Sequence, residues 1–208
     1  AVSVWGDVER ALAILDEPAD DLVPTPRPAN PLVTGLAGET LDRWWNTDRE
    51  EALLTGRLQR ADLLSRGGQL QEAQEEFIAL GESLLHLRSP HATELHFRWG
   101  RAYVFFLSEI QGLIEQARAV RARCAALVAP DQPVPHDLLV MDDGIAMRSG
   151  EMVAAEQTAR TRLERALRSG DLIEESVSWN SLGIVLTSLG DLTGSQSAYA
   201  HSLRLASD

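Results

Sequence analysis

The sequence predicts an all-α protein: an α-solenoid of about four helix pairs behind an irregular, Pro-rich N-terminal cap. Three observations carry that expectation. From Thr47 onward, apolar residues recur at three- and four-residue steps, the period of an amphipathic helix. No stretch alternates apolar and polar residues cleanly over five or more positions, as a half-buried strand would. Gly68, Gly112, Gly150 and Gly190 lie 44, 38 and 40 residues apart, a near-regular period of the kind that marks stacked helical units.

Residues 1–46 read as a segment apart. Val8, Ala11, Leu12 and Leu15 suggest a short helix. Five of the nine prolines then fall between Pro18 and Pro31, and proline removes a backbone donor and fixes φ, which excludes regular helix. An extended meander is expected, its Leu22, Val23, Leu32, Val33 and Leu36 packing along the helices that follow. Residues 47–208 hold the repeats, with pairs near 47–88, 89–129, 136–169 and 171–207. Thr47-Asp48-Arg49-Glu50 has the form of a capping box and predicts a helix start. Leu53, Leu54, Leu58, Ala61 and Leu64 line that helix, and Gly67-Gly68 ends it. The next helix carries Leu70, Ala73, Phe77, Leu80 and Leu84 on one face. Ser89-Pro90 predicts another start, with Ser as N-cap and Pro at the first helical position. Asp171-Leu-Ile-Glu174 is a further box-like start, and turns are expected at Gly67-Gly68, Gly150, Gly170 and Gly190.

The four glycines also set a register. Two residues after each stands Leu70, Ile114, Met152 or Leu192. Five after stands Ala73, Ala117, Ala155 or Ser195. Nine after stands Phe77, Arg121, Ala159 or Tyr199. A small residue at plus five suits the point where the second helix of a pair crosses the first, because a larger side chain would force the axes apart. Asp142-Asp143 falls where this register expects small apolar residues.

Composition narrows the function. The net charge is −12, and all 19 basic residues are Arg. Nucleic-acid backbones require clustered cations, so direct DNA or RNA contact by this segment is not expected. The single Cys124 excludes an internal disulfide and any cysteine-built zinc or iron–sulfur site. No apolar run approaches the ~20 residues of a membrane span. The start lacks the basic n-region of a signal peptide, and Ala rather than Met at position 1 predicts a piece of a longer protein.

The last unit carries a family likeness. Trp179, Leu182-Gly183, Leu186, Gly190-Asp191 and Tyr199 resemble the tetratricopeptide repeat, with Ser195 in place of the usual Ala. Ala61, Leu64, Gly68, Ala73 and Phe77 fit the same pattern, although the period exceeds the family's usual length of about 34 residues. A second resemblance covers the first half: Ala11-Leu12, the Pro-rich meander, Glu39-Thr-Leu-Asp-Arg-Trp44-Trp45, Arg49-Glu50, Gly67-Gly68 and Glu72-Ala73. This order is similar to the bacterial transcriptional activation domain of antibiotic-regulatory-type activators, itself built of tetratricopeptide-like helices. Together the resemblances imply a cytoplasmic, non-catalytic protein- or peptide-binding domain of a larger bacterial transcriptional regulator, its partner a protein segment, a peptide or a second copy. A free-standing tetratricopeptide scaffold or co-chaperone is the alternative.

Candidate sites are few. His91 and His96 are five apart with Glu94 misplaced for a metalloprotease helix, so surface or cap roles are expected and no metal site. Cys124 sits among Val120, Leu127 and Val128 and reads as a buried structural thiol. No nucleophile elbow, phosphate loop or dinucleotide fingerprint occurs, so neither catalytic residues nor a cofactor are expected. Asp20-Asp21, Asp142-Asp143 and Glu174-Glu175 are adjacent pairs that do not share a helix face, and solvated positions are expected for them. In solenoids of this type the first helix of each pair lines the concave surface. That places Arg98, Arg101, Asn180 and Thr187 in a binding groove, the Arg residues flanked by Trp99 and Tyr103 and suited to peptide carboxylates. Trp44 and Trp45 are expected to pack on the first pair and the meander, or to anchor a partner.

Overall fold

The computed structural model describes the backbone of residues 38–206 and the side chains from residue 49 onward. The expected N-terminal helix and meander, and the side chains of Trp44 and Trp45, lie outside the described residues. The described chain is all-helical, without strands: α1 (Gly38–Arg66), α2 (Leu70–His86), α3 (Ala92–Phe105), a π-helical turn (Phe106–Ile110), α4 (Ile114–Ala125), α5 (His136–Ser149), α6 (Met152–Ser169), α7 (Leu172–Leu189) and α8 (Leu192–Leu205). It forms two compact units, divided between Trp99 and Gly100.

The start of α1 corrects the expected boundary. The helix begins at Gly38, so Thr47 lies inside it rather than at its N-cap, and the division at residues 46 and 47 falls mid-helix. A capping box marks a start only where the preceding backbone is free to leave the helix. The start expected at Ser89-Pro90 also shifts: Ser89 Oγ accepts from the His91 amide at 2.9 Å, but Ser89 and Pro90 lie in the turn before α3, which begins at Ala92. The start at Asp171 holds, its Oδ1 accepting from Glu174 N at 3.0 Å. Asp191, read from the sequence only as part of a turn, caps α8 in the same way, its Oδ1 accepting from Gly194 N at 2.9 Å.

In the first unit, Leu54, Leu58, Ala61 and Leu64 of α1 are buried, as are Ala73, Phe77, Leu80 and Leu84 of α2, and the two helices pack together. The turn between them is a left-handed cap. Gly68 has φ of 78°, and Gln69 N reaches back to Leu64 O at 3.0 Å while Gly68 N bonds Ser65 O at 3.2 Å. These two bonds satisfy carbonyls that the helix end would orphan. Trp99 is buried and donates from Nε1 to Phe77 O at 2.8 Å. Its ring lies over Gly81, where an added Cβ would fall 2.6 Å from Trp99 Cζ2.

In the second unit the helices pack in chain order: α4 on α5, α5 on α6, α6 on α7 and α7 on α8. Gly112, Gly150, Gly170 and Gly190 all adopt positive φ, a conformation that costs glycine little. The register read from the glycines holds in three dimensions. Ala73, Ala117 and Ala155 have no exposed surface, and Ser195 has 4%. The last pair shows why small residues are needed. Ser195 Oγ donates to Gly183 O at 3.0 Å, and Tyr199 packs so closely on Gly183 that a Cβ there would stand 2.7 Å from its ring. Leu182 and Leu186 of α7 bury against Ala159 and Leu163 of α6, with Trp179 at the edge.

Candidate functional site

Two polar constellations stand out in the second unit. The first is an open cleft of about 400 Å³. Arg118 and Arg121, one turn apart on α4, form one wall; Asp142, Ile145 and Ala146 of α5 form the floor; Glu151, Ala154 and Thr158 form the far side. Arg121 grips Asp142 in a fork, Nε to Oδ1 at 2.8 Å and Nη2 to Oδ2 at 2.7 Å. Arg118 Nη2 bonds Glu151 Oε1 at 2.8 Å and stands near Glu115, at 3.7 Å from Nε. Two guanidinium groups face two carboxylates over a buried apolar floor. A ligand carboxylate can exchange with Asp142 or Glu151 on the same Arg fork, because bidentate geometry suits any planar carboxylate.

The second is a buried ionic cluster linking α5, α6 and α7. Arg162 of α6, 3% exposed, donates from Nη1 to Asp143 Oδ2 at 2.7 Å and from Nη2 to Glu174 Oε1 at 2.9 Å. Glu174 also accepts from Ser178 Oγ at 3.1 Å, and its Oε2 lies 3.1 Å from His136 Nε2. Burial lifts the Asp143 carboxyl above its ordinary value, while Arg162 and the Ser181 hydroxyl pull it back. Asp143 Oδ1 and Arg162 Nε have no hydrogen-bond partner among the described residues. Charge inside such a crossing is expensive unless paired, and this pairing is incomplete.

These constellations correct several expectations. Asp142, Asp143 and Glu174 are not solvated faces; each is ion-paired, and Asp143 is buried. His96 is buried rather than a surface or cap residue; its Nδ1 pairs with Ala92 O at 3.0 Å and its ring meets Trp99 edge-on at 6.5 Å. Trp99 and Tyr103 point inward, so they do not flank the exposed Arg98 and Arg101 as surface partners. Cys124 is buried as expected, its thiol pushed up to about 11 by burial, an effect that Arg123 partly offsets. An added Cβ on Gly100 would collide with Cys124 Sγ and with Met141 Cε.

The four groove residues divide. Arg98 belongs to the first unit and is exposed. Arg101 of the second unit is half-exposed, with Nη1 3.4 Å from Asp137 Oδ1. Asn180 is exposed on α7. Thr187 spends its hydroxyl locally, bonding Gly183 O at 2.8 Å and Ser195 Oγ at 2.6 Å. None of the four lines the α4–α5–α6 cleft. The cleft residues had a signal in the sequence. Arg121 occupies a register position held elsewhere by Phe77, Ala159 and Tyr199, and Asp142 occupies one where a small apolar residue is expected. The two misfits are each other's ion-pair partner.

Among the described residues no group of three or more His, Cys, Asp and Glu is placed to hold a metal ion, and no helix is long and apolar enough to cross a membrane. No family model, no curated protein and no solved structure matches this chain.

Proposed function

We propose that this chain is a non-catalytic, protein- or peptide-binding regulatory domain built as a tetratricopeptide-like α-solenoid. One observation carries the reading. Helix pairs recur in a common register, each closed by a left-handed glycine and crossed at a buried small residue. Stacked pairs of this kind create clefts between neighbouring helices, and the α4–α5–α6 cleft has the paired guanidinium groups and apolar floor that an extended acidic peptide requires. A peptide carboxylate displaces Asp142 from the Arg121 fork and its aliphatic stem lies on Ile145 and Ala146. Membership of a larger cytoplasmic bacterial transcriptional regulator is proposed on the resemblance of the first half of the sequence.

The test is a fluorescence-binding screen of the whole chain against a library of acidic peptides, followed by two double variants. Arg118→Ala with Arg121→Ala is expected to weaken a selected peptide by about 10–100-fold, the worth of a charge-assisted pair. Arg98→Ala with Arg101→Ala tests the alternative surface and is expected to leave that peptide's affinity within about twofold. Affinity unchanged by the first pair refutes the cleft; loss from the second pair alone moves the site to the face of α3.

A further inference from the structure

Asp142 and Asp143 are neighbours in the chain, and each takes an Arg from an adjacent helix, yet the two ion pairs differ in access. The Arg162–Asp143 pair is closed, with 3% and 5% of the side chains exposed. The Arg121–Asp142 pair stands open on the α4–α5–α6 cleft, with 29% and 34% exposed. Arg118 and Glu151 are more open still, at 40% and 52%. Breaking a closed pair strands a buried charge. Breaking an open pair costs little, because water or an incoming anion takes the place of the lost partner. Both open pairs bring their carboxylates to α4 from elsewhere, Asp142 from α5 and Glu151 from the N-cap of α6. Asp142 occupies both arms of the Arg121 fork, and Glu151 occupies Nη2 of Arg118. These are the donors that a bound carboxylate needs.

We propose that Asp142 and Glu151 are internal competitors that set the affinity of the cleft. Each stands where a ligand carboxylate would bind and has to be displaced before one does. The inference rests on the peptide-cleft reading and concerns the regulation of that same site. Asp142 is the stronger competitor. Its two bonds, at 2.8 and 2.7 Å, reproduce the bidentate contact of a free carboxylate. It belongs to the same chain, so its return to the fork loses no translational freedom, whereas a ligand's arrival does. Glu151 receives a single bond from the Arg118 guanidinium, at 2.8 Å, in a more exposed setting, and holds that Arg less firmly. A ligand carboxylate therefore exchanges one ion pair for another on Arg121, and its net gain there is small while Asp142 keeps its charge.

Fluorescence anisotropy of the whole chain with a fluorescein-labelled, C-terminally amidated tetraglutamate peptide tests it, at about 0.15 M salt so that distant charges are screened. Asp142→Asn keeps the shape of the side chain and removes its charge; it is expected to tighten the peptide about tenfold, the worth of a charge-assisted pair. Glu151→Gln is expected to tighten it about threefold. Glu164→Gln removes the same charge from an exposed position of α6 outside the cleft and is expected to leave the affinity within about 1.5-fold. Adding Arg121→Ala to Asp142→Asn is expected to abolish the gain, with the helical circular dichroism spectrum unchanged. A gain from Glu164→Gln equal to that from Asp142→Asn, or a gain that survives Arg121→Ala, overturns the proposal. Affinity unchanged or weakened by Asp142→Asn also overturns it, and leaves the peptide-cleft reading to the Arg118 and Arg121 variants. Binding by Asp142→Asn but not by the natural chain supports the internal competitor and refutes acidic-peptide binding by the natural chain. No binding by either overturns both.

Discussion

The crossing of α2 and α3 in the first unit and the α5–α6–α7 crossing in the second solve one problem by opposite means. In each, a large side chain with a polar head is buried where helices meet. Trp99 brings one donor and places it on the Phe77 carbonyl at 2.8 Å, while its ring fills the space that Gly81 leaves open. Arg162 brings a charge and five donors, and it needs Asp143 and Glu174 from two other helices to be tolerated. The first crossing gains from apolar area, roughly 25 cal/mol per Å² removed from water. The second sets its Coulomb attraction against the cost of desolvation, and burial raises the Asp143 carboxyl despite the Arg162 beside it. Burial alone is therefore a poor guide to stabilisation. The aromatic contact adds buried apolar area within the first unit; the ionic crossing penalises a change of partner, because it would leave a buried charge unpaired.

Substitutions can break or sharpen this contrast. The largest effect is expected from Arg162→Met, which leaves Asp143 buried without its cation and should cost about 3–5 kcal/mol in urea denaturation. Adding Asp143→Leu should recover most of that loss, because an apolar pair of similar volume needs no desolvation. Failure of the rescue would show that the ionic crossing contributes stability of its own. Next come the close glycine contacts. Gly81→Ala and Gly183→Ala are each expected to lower stability by about 1–3 kcal/mol by pushing Trp99 and Tyr199 outward, read as a fall in denaturation midpoint. An unchanged midpoint for both would mean that the helix axes can yield there.

The smallest effect concerns pH. Burial raises the Asp143 carboxyl in the folded state, so the folded chain holds that proton to higher pH than the unfolded chain does. The stability contributed by the protonated form is present in acid. It is lost as pH rises from the ordinary Asp value through the raised one. Asp143→Asn removes this titration, so its stability relative to the natural chain should grow across that interval and then level off. A constant difference at all pH values would place Asp143 in a wetter setting than the structure gives it.

How much of this was legible depends on the range of the interaction. The turns at Gly68, Gly112, Gly150, Gly170 and Gly190, the cap at Asp171, and the buried small residues five positions after four of the glycines follow from short-range rules. Each is set by a backbone angle, a bond spanning three residues, or the pitch of one helix. The start of α1 was misread because a capping box competes with helix propagation from upstream, and residues 38–46 continue the helix. The cleft was only half-legible. Arg121 and Asp142 showed themselves as charges at apolar register positions, but nothing local says that two misfits 21 residues apart meet.

The sequence by itself determined that the described chain is helical, where its glycine turns fall and which small residues are buried after them, because those are local consequences of glycine φ and a 3.6-residue period. The tertiary structure alone decided that Trp99 and Tyr103 turn inward, that His96 is buried, that Arg162 draws Asp143 and Glu174 together, and that the hydroxyl of the exposed Thr187 is engaged by Gly183 and Ser195. Each of these depends on how far one helix is rotated about its axis relative to its neighbour. That rotation is settled by the packing of whole faces, which no single stretch of sequence contains.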